Sequence, residues 1–359
     1  MSQVLTTTEP VGRTLPLRRP RLPRWAAPLV GLVAAAASLL VGLVADWSVA
    51  GIVVVAGLLY VVVLPGWSLL VENRRSATDR LFSSLVWTAL AIALVPLISL
   101  LYLVISNGAK EIDGQFLTYS MRNIVGSGGG IYHALIGTLM ITATATVISV
   151  PIGILAAVYL VEYGGGSRVA SSLRFLVDVM TGIPSIVAGL FAYALFEIFF
   201  GPGVKMAFGG GVALSLLMVP IVVRSTEEML KLVPDELREA SYALGVPRWK
   251  TIVRIVLPTA SAGIVTGVTL AIARVIGETA PLLIIAGATT SVNTSLFSPQ
   301  TPTETLPVFI YYSYTQPGLN PQYSVDRAWG AALVLIVIVM ILNLLARLLG
   351  RMLAPKSGR

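Results

Sequence analysis

The 359 residues include no cysteine and a single histidine, His133. No disulfide, thiolate metal site or cysteine nucleophile is available, and one histidine is too few for a histidine-based metal centre. Charge is scarce as well. Asp, Glu, Lys and Arg make up 12% of the chain, about half the share in an ordinary soluble domain. No Gly-Lys dipeptide occurs anywhere. A phosphate-cradling nucleotide loop needs Gly-Lys followed by Ser or Thr, so the chain has no such route to ATP hydrolysis of its own. What is plentiful is apolar: 56% of the residues are hydrophobic and the mean hydropathy is +0.85. These figures exclude a disordered chain and point to a bilayer as the solvent.

A helical crossing takes about 20 mostly apolar residues. Eight runs qualify, at 26–45, 49–71, 81–106, 131–161, 175–200, 209–223, 258–286 and 328–349. The sixth is short enough to be re-entrant, but the charge pattern favours a full crossing. With the amino terminus inside, 20 of the 25 lysines and arginines fall on inside segments and four on outside ones. Positive residues collect on the cytoplasmic side, so both termini are expected in the cytoplasm. The basic residues flank apolar runs, so topology accounts for the net charge of +8 and no nucleic-acid partner is implied. The first run is longer than the apolar core of a signal peptide, which argues against cleavage. The expected fold class is all-α and polytopic. Residues 1–25 form a basic tail, 26–76 two additional crossings, 77–350 a six-helix core and 351–359 a cytoplasmic tail. The Gly126–Gly130 and Gly164–Gly166 runs read as loops.

The inside segment 224–257 is amphipathic. Pro234, Asp235 and Glu236 suit a helix first turn by fixed backbone angle and by charge against the dipole. Leu237, Ala240, Ser241 and Leu244 follow at helical spacing, and Gly245 stands where a helix stop uses glycine. Pro247 opens a second helical stretch leading to Pro258. The spacing predicts a short helix across the membrane axis with small residues open to close approach; a plain surface loop fits the pattern too.

The one basic residue left within a run is Arg274, with Glu278 four positions on. A charge at that depth costs at least ~2.5–3.5 kcal/mol and faces a bundle interior or water. On a continuous helix the two share a face within pairing reach, beside the close-packing stripe of Gly263, Gly267 and Ala271. A guanidinium fork fits phosphate oxygens, with Glu278 holding it when no anion is bound; a structural ion pair between helices is the other reading. Thr138, Thr142 and Ser149 share a face of the fourth run, either lining a path or bonding helix to helix. Gly182, Pro184 and Ser185 place a kink in the fifth run, which suits a gate but also recurs in plain bundles. His133, at the outer mouth of the fourth run, is expected at the surface. Glu197 reads as interfacial, Asp178 stays open, and Tyr311, Tyr312 and Tyr314 resemble an interfacial belt.

Three stretches resemble a known family. Glu239-Ala240-Ser241, then three residues, Gly245, nine residues and Ile255-Val256-Leu257-Pro258 is similar to the Glu-Ala-Ala loop of bacterial ABC importer permeases, with Ser241 for the second alanine. Ala273 to Pro281, reading Ala-Arg-Val-Ile-Gly-Glu-Thr-Ala-Pro, and Thr181 to Gly189, reading Thr-Gly-Ile-Pro-Ser-Ile-Val-Ala-Gly, resemble segments of phosphate importer permeases of the PstA family. The resemblance implies a type I ABC importer permease for inorganic phosphate, working by alternating access without a cofactor. It implies ATPase coupling through Glu239, Ala240, Ser241, Gly245 and Pro258. Its implied partners are a PstC-like second permease, a PstB-like ATPase dimer and a PstS-like phosphate-binding protein. The two crossings in 26–76 depart from the family's six-helix layout. Rival readings are a permease for another oxyanion, a proton-coupled secondary transporter using Arg274, Glu278 and Asp178, and a non-transporting membrane sensor.

Overall fold

A computed structural model describes residues 21–353; most of the basic tail and residues 354–359 lie outside it. Every regular element among the described residues is helical. The chain divides into two units, one ending at Leu103 and the other starting at Val104.

In the first unit, α1 (Ala26–Val44) and α2 (Val49–Val71) form an antiparallel pair, and α3 (Arg74–Gly108) begins there. Gly42 lets Ile52 approach, since a Cβ there would lie 2.4 Å from the Ile52 side chain. The α2–α3 corner is tied by Glu72. Its carboxylate accepts from Arg80 Nε (2.9 Å), Arg80 Nη2 (3.0 Å), Ser68 Oγ (2.6 Å) and the Leu22 backbone N–H (2.7 Å). The bond from Arg80 leads these donors in holding the Glu72 carboxyl down at about 2.

The second unit follows with α4 (Gly114–Thr118), α5 (Tyr132–Val158) and a π turn at Tyr159–Tyr163. Next come α6 (Arg168–Thr181), α7 (Ser185–Phe200), α8 (Ala207–Lys231) and α9 (Asp235–Ala243). Then α10 (Arg248–Thr251), a second π turn at Ile252–Val256 and α11 (Leu257–Val275) run on as one rod. The chain closes with α12 (Ala280–Ile285), α13 (Leu306–Thr315) and α14 (Pro321–Leu353). The expected sixth run is the centre of this unit: 61% of its apolar window is buried, against 28% or less for the other long helices. Far from being short, α8 reaches Lys231 because its Arg224–Lys231 end continues past the apolar stretch into polar surroundings. Its partner is α5, with Gly153 against Val222 and Gly211 against Thr144 at distances that exclude a Cβ. Such contacts are the usual glue between helices where lipid offers no hydrophobic drive.

Two of the eight expected crossings are not continuous. Seven helices are long and apolar enough to span, and the fifth run is a pair, α6 and α7, bent by 108°. Pro184 lacks an N–H and pushes the preceding residue out of the helical region, so the helix stops at Thr181 and restarts at Ser185. The break is far sharper than the expected kink, and α6 starts seven residues before the apolar run, at Arg168. The seventh run breaks after Val275, and α12 starts with Pro281 in its first turn.

Candidate functional site

The Glu-Ala-Ser stretch lies on α9, with Gly245 just beyond its end. α9 is opened by Pro234 and has Asp235 and Glu236 in its first turn. It closes with paired bonds, Gly245 N–H to Tyr242 O (2.9 Å) and Val246 N–H to Ser241 O (3.2 Å). This is the Schellman geometry, and Gly245 takes the left-handed φ of 73° that it requires. Glu239 and Ala240 are exposed. Ser241 is buried, and its hydroxyl lies 2.7 Å from Thr251 Oγ1, closing the loop onto α10. Pro258 sits in the first turn of α11. Leu244, Trp249 and Leu232 are 83%, 62% and 73% exposed.

Sequence reasoning missed what holds this loop. Arg238 Nε and Nη2 donate to Glu162 Oε1 at 3.1 and 2.9 Å, and its other bonds reach Leu230 O (3.0 Å), Val233 O (2.7 Å) and Asp235 Oδ1 (3.0 Å). Glu162 lies in the first π turn and is 3% exposed. Arg248 donates to the Glu162 carbonyl and stacks over the Tyr163 ring, 5.0 Å from its centroid. The partners lie 76 and 86 residues apart, and no local spacing announces such pairs.

Arg274 and Glu278 are arranged differently from expectation. Arg274 occupies the last turn of α11 and is exposed; Glu278 falls in the break before α12 and is half-buried. No ion pair joins them among the described residues, because the helix that would have stacked them one turn apart ends at Val275. The small-residue stripe does pack as expected: Gly263 meets Met229 and Gly267 meets Ser225, both on α8. The signal for the break was present in Gly277 and Pro281, a proline fit for a new first turn.

Thr138, Thr142 and Ser149 are all buried along α5. Thr138 Oγ1 donates to Ala134 O (2.7 Å) and accepts from Leu306 N–H (2.8 Å), capping α13, while Ser149 Oγ bonds Ser215 O on α8 (3.4 Å). For these two hydroxyls, bonding between elements is what the geometry shows. Gly182 and Pro184 form the α6–α7 break, with Gly182 N–H bonded to Val179 O (3.0 Å), and Ser185 opens α7.

His133 is not at the surface. It is 2% exposed, with Nε2 3.2 Å from Glu304 Oε2 and its ring edge-on to Phe309. The stretch leading into α13 folds over the start of α5 and covers it: Gly137 meets the Glu304 backbone so closely that a Cβ would lie 2.0 Å from its oxygen. Asp178 pairs with Arg224 of α8, and Glu227 holds Arg174 (3.4 Å) and Lys231 (2.8 Å), fastening α6 to α8. Lys205 donates to Ile284 O at the end of α12, and burial pushes its ammonium pKa down. Glu197 is half-buried in the last turn of α7. Tyr311 and Tyr314 are exposed on α13, with Tyr312 half-buried between them. The glycine loop before α5 is pinned, since Arg327 donates to Gly126 O and Gly128 O at 2.8 and 2.9 Å.

Residues 149–359 match the family described as binding-protein-dependent transport system inner membrane component. The phosphate transport system permease protein PstA 1 of Mycobacterium tuberculosis is 47% identical over 290 residues, 80% of this chain and 91% of that protein. The chain belongs to the PstA family. The PstA proteins of Mycobacterium leprae and Yersinia pestis are 48% and 41% identical, over 76% and 73% of this chain and 89% and 87% of their own. Among solved structures, a chain of the inward-facing MetNI methionine ABC transporter aligns with TM-score 0.49 and 20% identity, over 63% of this chain and 94% of that one. The family match takes in α6 to α14, and with them the Glu239 loop and the Arg274 break. As a PstA-family chain, this is a multi-pass membrane permease subunit.

Proposed function

We propose that the chain is the membrane permease subunit of an ATP-driven importer that carries inorganic phosphate across the bacterial cytoplasmic membrane by alternating access. The observation that carries this reading is α9 itself: a capped helix, pinned at its base, with Glu239, Ala240, Leu244 and Trp249 left open beside it. A surface of that kind fits a groove on a separate ATPase, which the chain needs because it has no Gly-Lys loop of its own. The relatives named as phosphate permeases support the substrate.

The assembly would join this chain to a PstC-like permease, a PstB-like ATPase dimer and a PstS-like binding protein, with both termini cytoplasmic. Closure of the ATPases on ATP moves α9 and turns the core outward; hydrolysis reverses it. Arg274, exposed in the single chain, faces the path and neutralises the anion, with Glu278 beside it in the break. Thr142 adds a hydroxyl on the same core, while Thr138 and Ser149 shape the path by packing. The α6–α7 break at Gly182, Pro184 and Ser185 serves as a gate. Asp178, held by Arg224 in a half-exposed pair, does not favour a proton relay. Co-purification followed by ATPase assay in lipid tests the reading. Phosphate-loaded binding protein is expected to stimulate hydrolysis and the empty protein not to; equal stimulation by a sulfate-loaded protein would overturn the substrate.

A further inference from the structure

A helix as short as α9 does not hold itself together in water, and it buries only Ser241. Its position therefore depends on what grips it. The Arg238 guanidinium touches three neighbours at once: the Glu162 carboxylate at the end of the α5 rod, the last-turn carbonyl of α8 at Leu230, and the Val233 carbonyl in the link. From the far side of the loop, Arg248 takes the Glu162 carbonyl. One buried residue is thus held from within α9 and from just after it. Its own element is a π turn, and a second π turn at Ile252–Val256 lies on the other flank. Inserted π turns concentrate at functional sites and lack the regular helical ladder.

Two routes lead from α9 into the bundle. Along the chain, displacement reaches α8 and α11. Across space, the Arg238–Glu162 bonds tie α9 directly to the end of the α5 rod. Since α5 and α8 form the most extensive contact in the unit, moving one without the other would open the centre. A buried pair is poor glue, because desolvation offsets its attraction, but it is directional, and breaking one side leaves an unpaired charge. We propose that Glu162 and Arg238 are positioning residues forming the joint that makes α5 move with α9, so that ATPase motion reaches both central helices together. The proposal rests on the coupling role given to α9 above.

The test uses the full complex in proteoliposomes with ATP inside, reading phosphate imported per ATP hydrolysed and the ATPase subunit retained on purification. Glu162→Gln is expected to keep the ATPase subunit bound and to cut the import ratio about tenfold, within the span of coupling free energies between sites. Glu162→Asp should recover part of the ratio, and Arg238→Lys, which keeps a cationic donor toward the carboxylate, should lose less than Arg238→Gln. A Glu162→Gln complex importing at the parental ratio overturns the proposal. So does loss of the ATPase subunit in every variant, Glu162→Asp and Arg238→Lys included, which makes the pair a folding element only. Failure of the parental complex to import with ATP instead overturns the coupling reading itself.

Discussion

A methyl group added at Gly137 would lie 2.0 Å from the Glu304 carbonyl oxygen, whereas one added at Gly245 would meet nothing within 4 Å. The two glycines are needed for different reasons, and substitution separates them. Gly137→Ala forces α5 away from the segment that covers it, at a cost of ~1–3 kcal/mol or more by overpacking; a thermal unfolding midpoint in detergent should fall clearly. Gly245→Ala meets only the left-handed backbone penalty of ~1–2 kcal/mol, and Gly245→Asn less, since asparagine tolerates that conformation. Equal losses for both alanine variants would contradict this division. At this scale the sequence was legible where chemistry is local. Gly245 announced a helix stop, whereas Ser241, expected open to close approach, is buried against Thr251. Arg274 announced a costly charge but not its place at a helix end, because Pro281 lay seven residues on inside an apolar run. Glu162 and His133 were illegible: what makes each matter is a residue far along the chain.

At the scale of elements, the corner between α2 and α3 yields a pH dependence. Glu72 is ionised with a folded-state pKa near 2, below its ordinary 4.5. A lowered carboxyl pKa gives stability that is fully present above the ordinary value and is lost as pH falls through the folded one. The Leu22 amide and the first turn of α3 should therefore stay protected from hydrogen exchange at pH 5 and lose protection between about 4.5 and 2. In Glu72→Gln that acid step should vanish, with weaker protection at neutral pH. Loss of protection well above pH 5 would contradict the assignment. The long apolar helices were readable from composition, and α9 from its caps. The 108° turn between α6 and α7 was not. Pro184 predicts an interruption but not its angle, and the α6–α8 pairs Arg174–Glu227 and Asp178–Arg224 join residues far apart in the chain.

For the whole molecule, the absence of cysteine makes topology directly measurable, since any introduced thiol is the only one. Cysteine at Leu244 should react with an impermeant reagent from the cytoplasmic side alone, and cysteine at Thr290 from the outside alone. The reverse pattern would invert the reading of α9. The fold class followed from the long apolar runs, a property of the entire chain that no single break disturbs, and the orientation read from twenty inside charges against four is what this labelling tests. The central claim is that a separate ATPase drives phosphate through this chain. It is tested most directly by labelled phosphate uptake into vesicles holding the assembled complex and loaded binding protein, with ATP inside or omitted. Uptake that requires ATP, and that collapses in Arg274→Gln while the complex stays assembled, is the predicted result. Uptake that proceeds without ATP and follows an imposed proton gradient would contradict it.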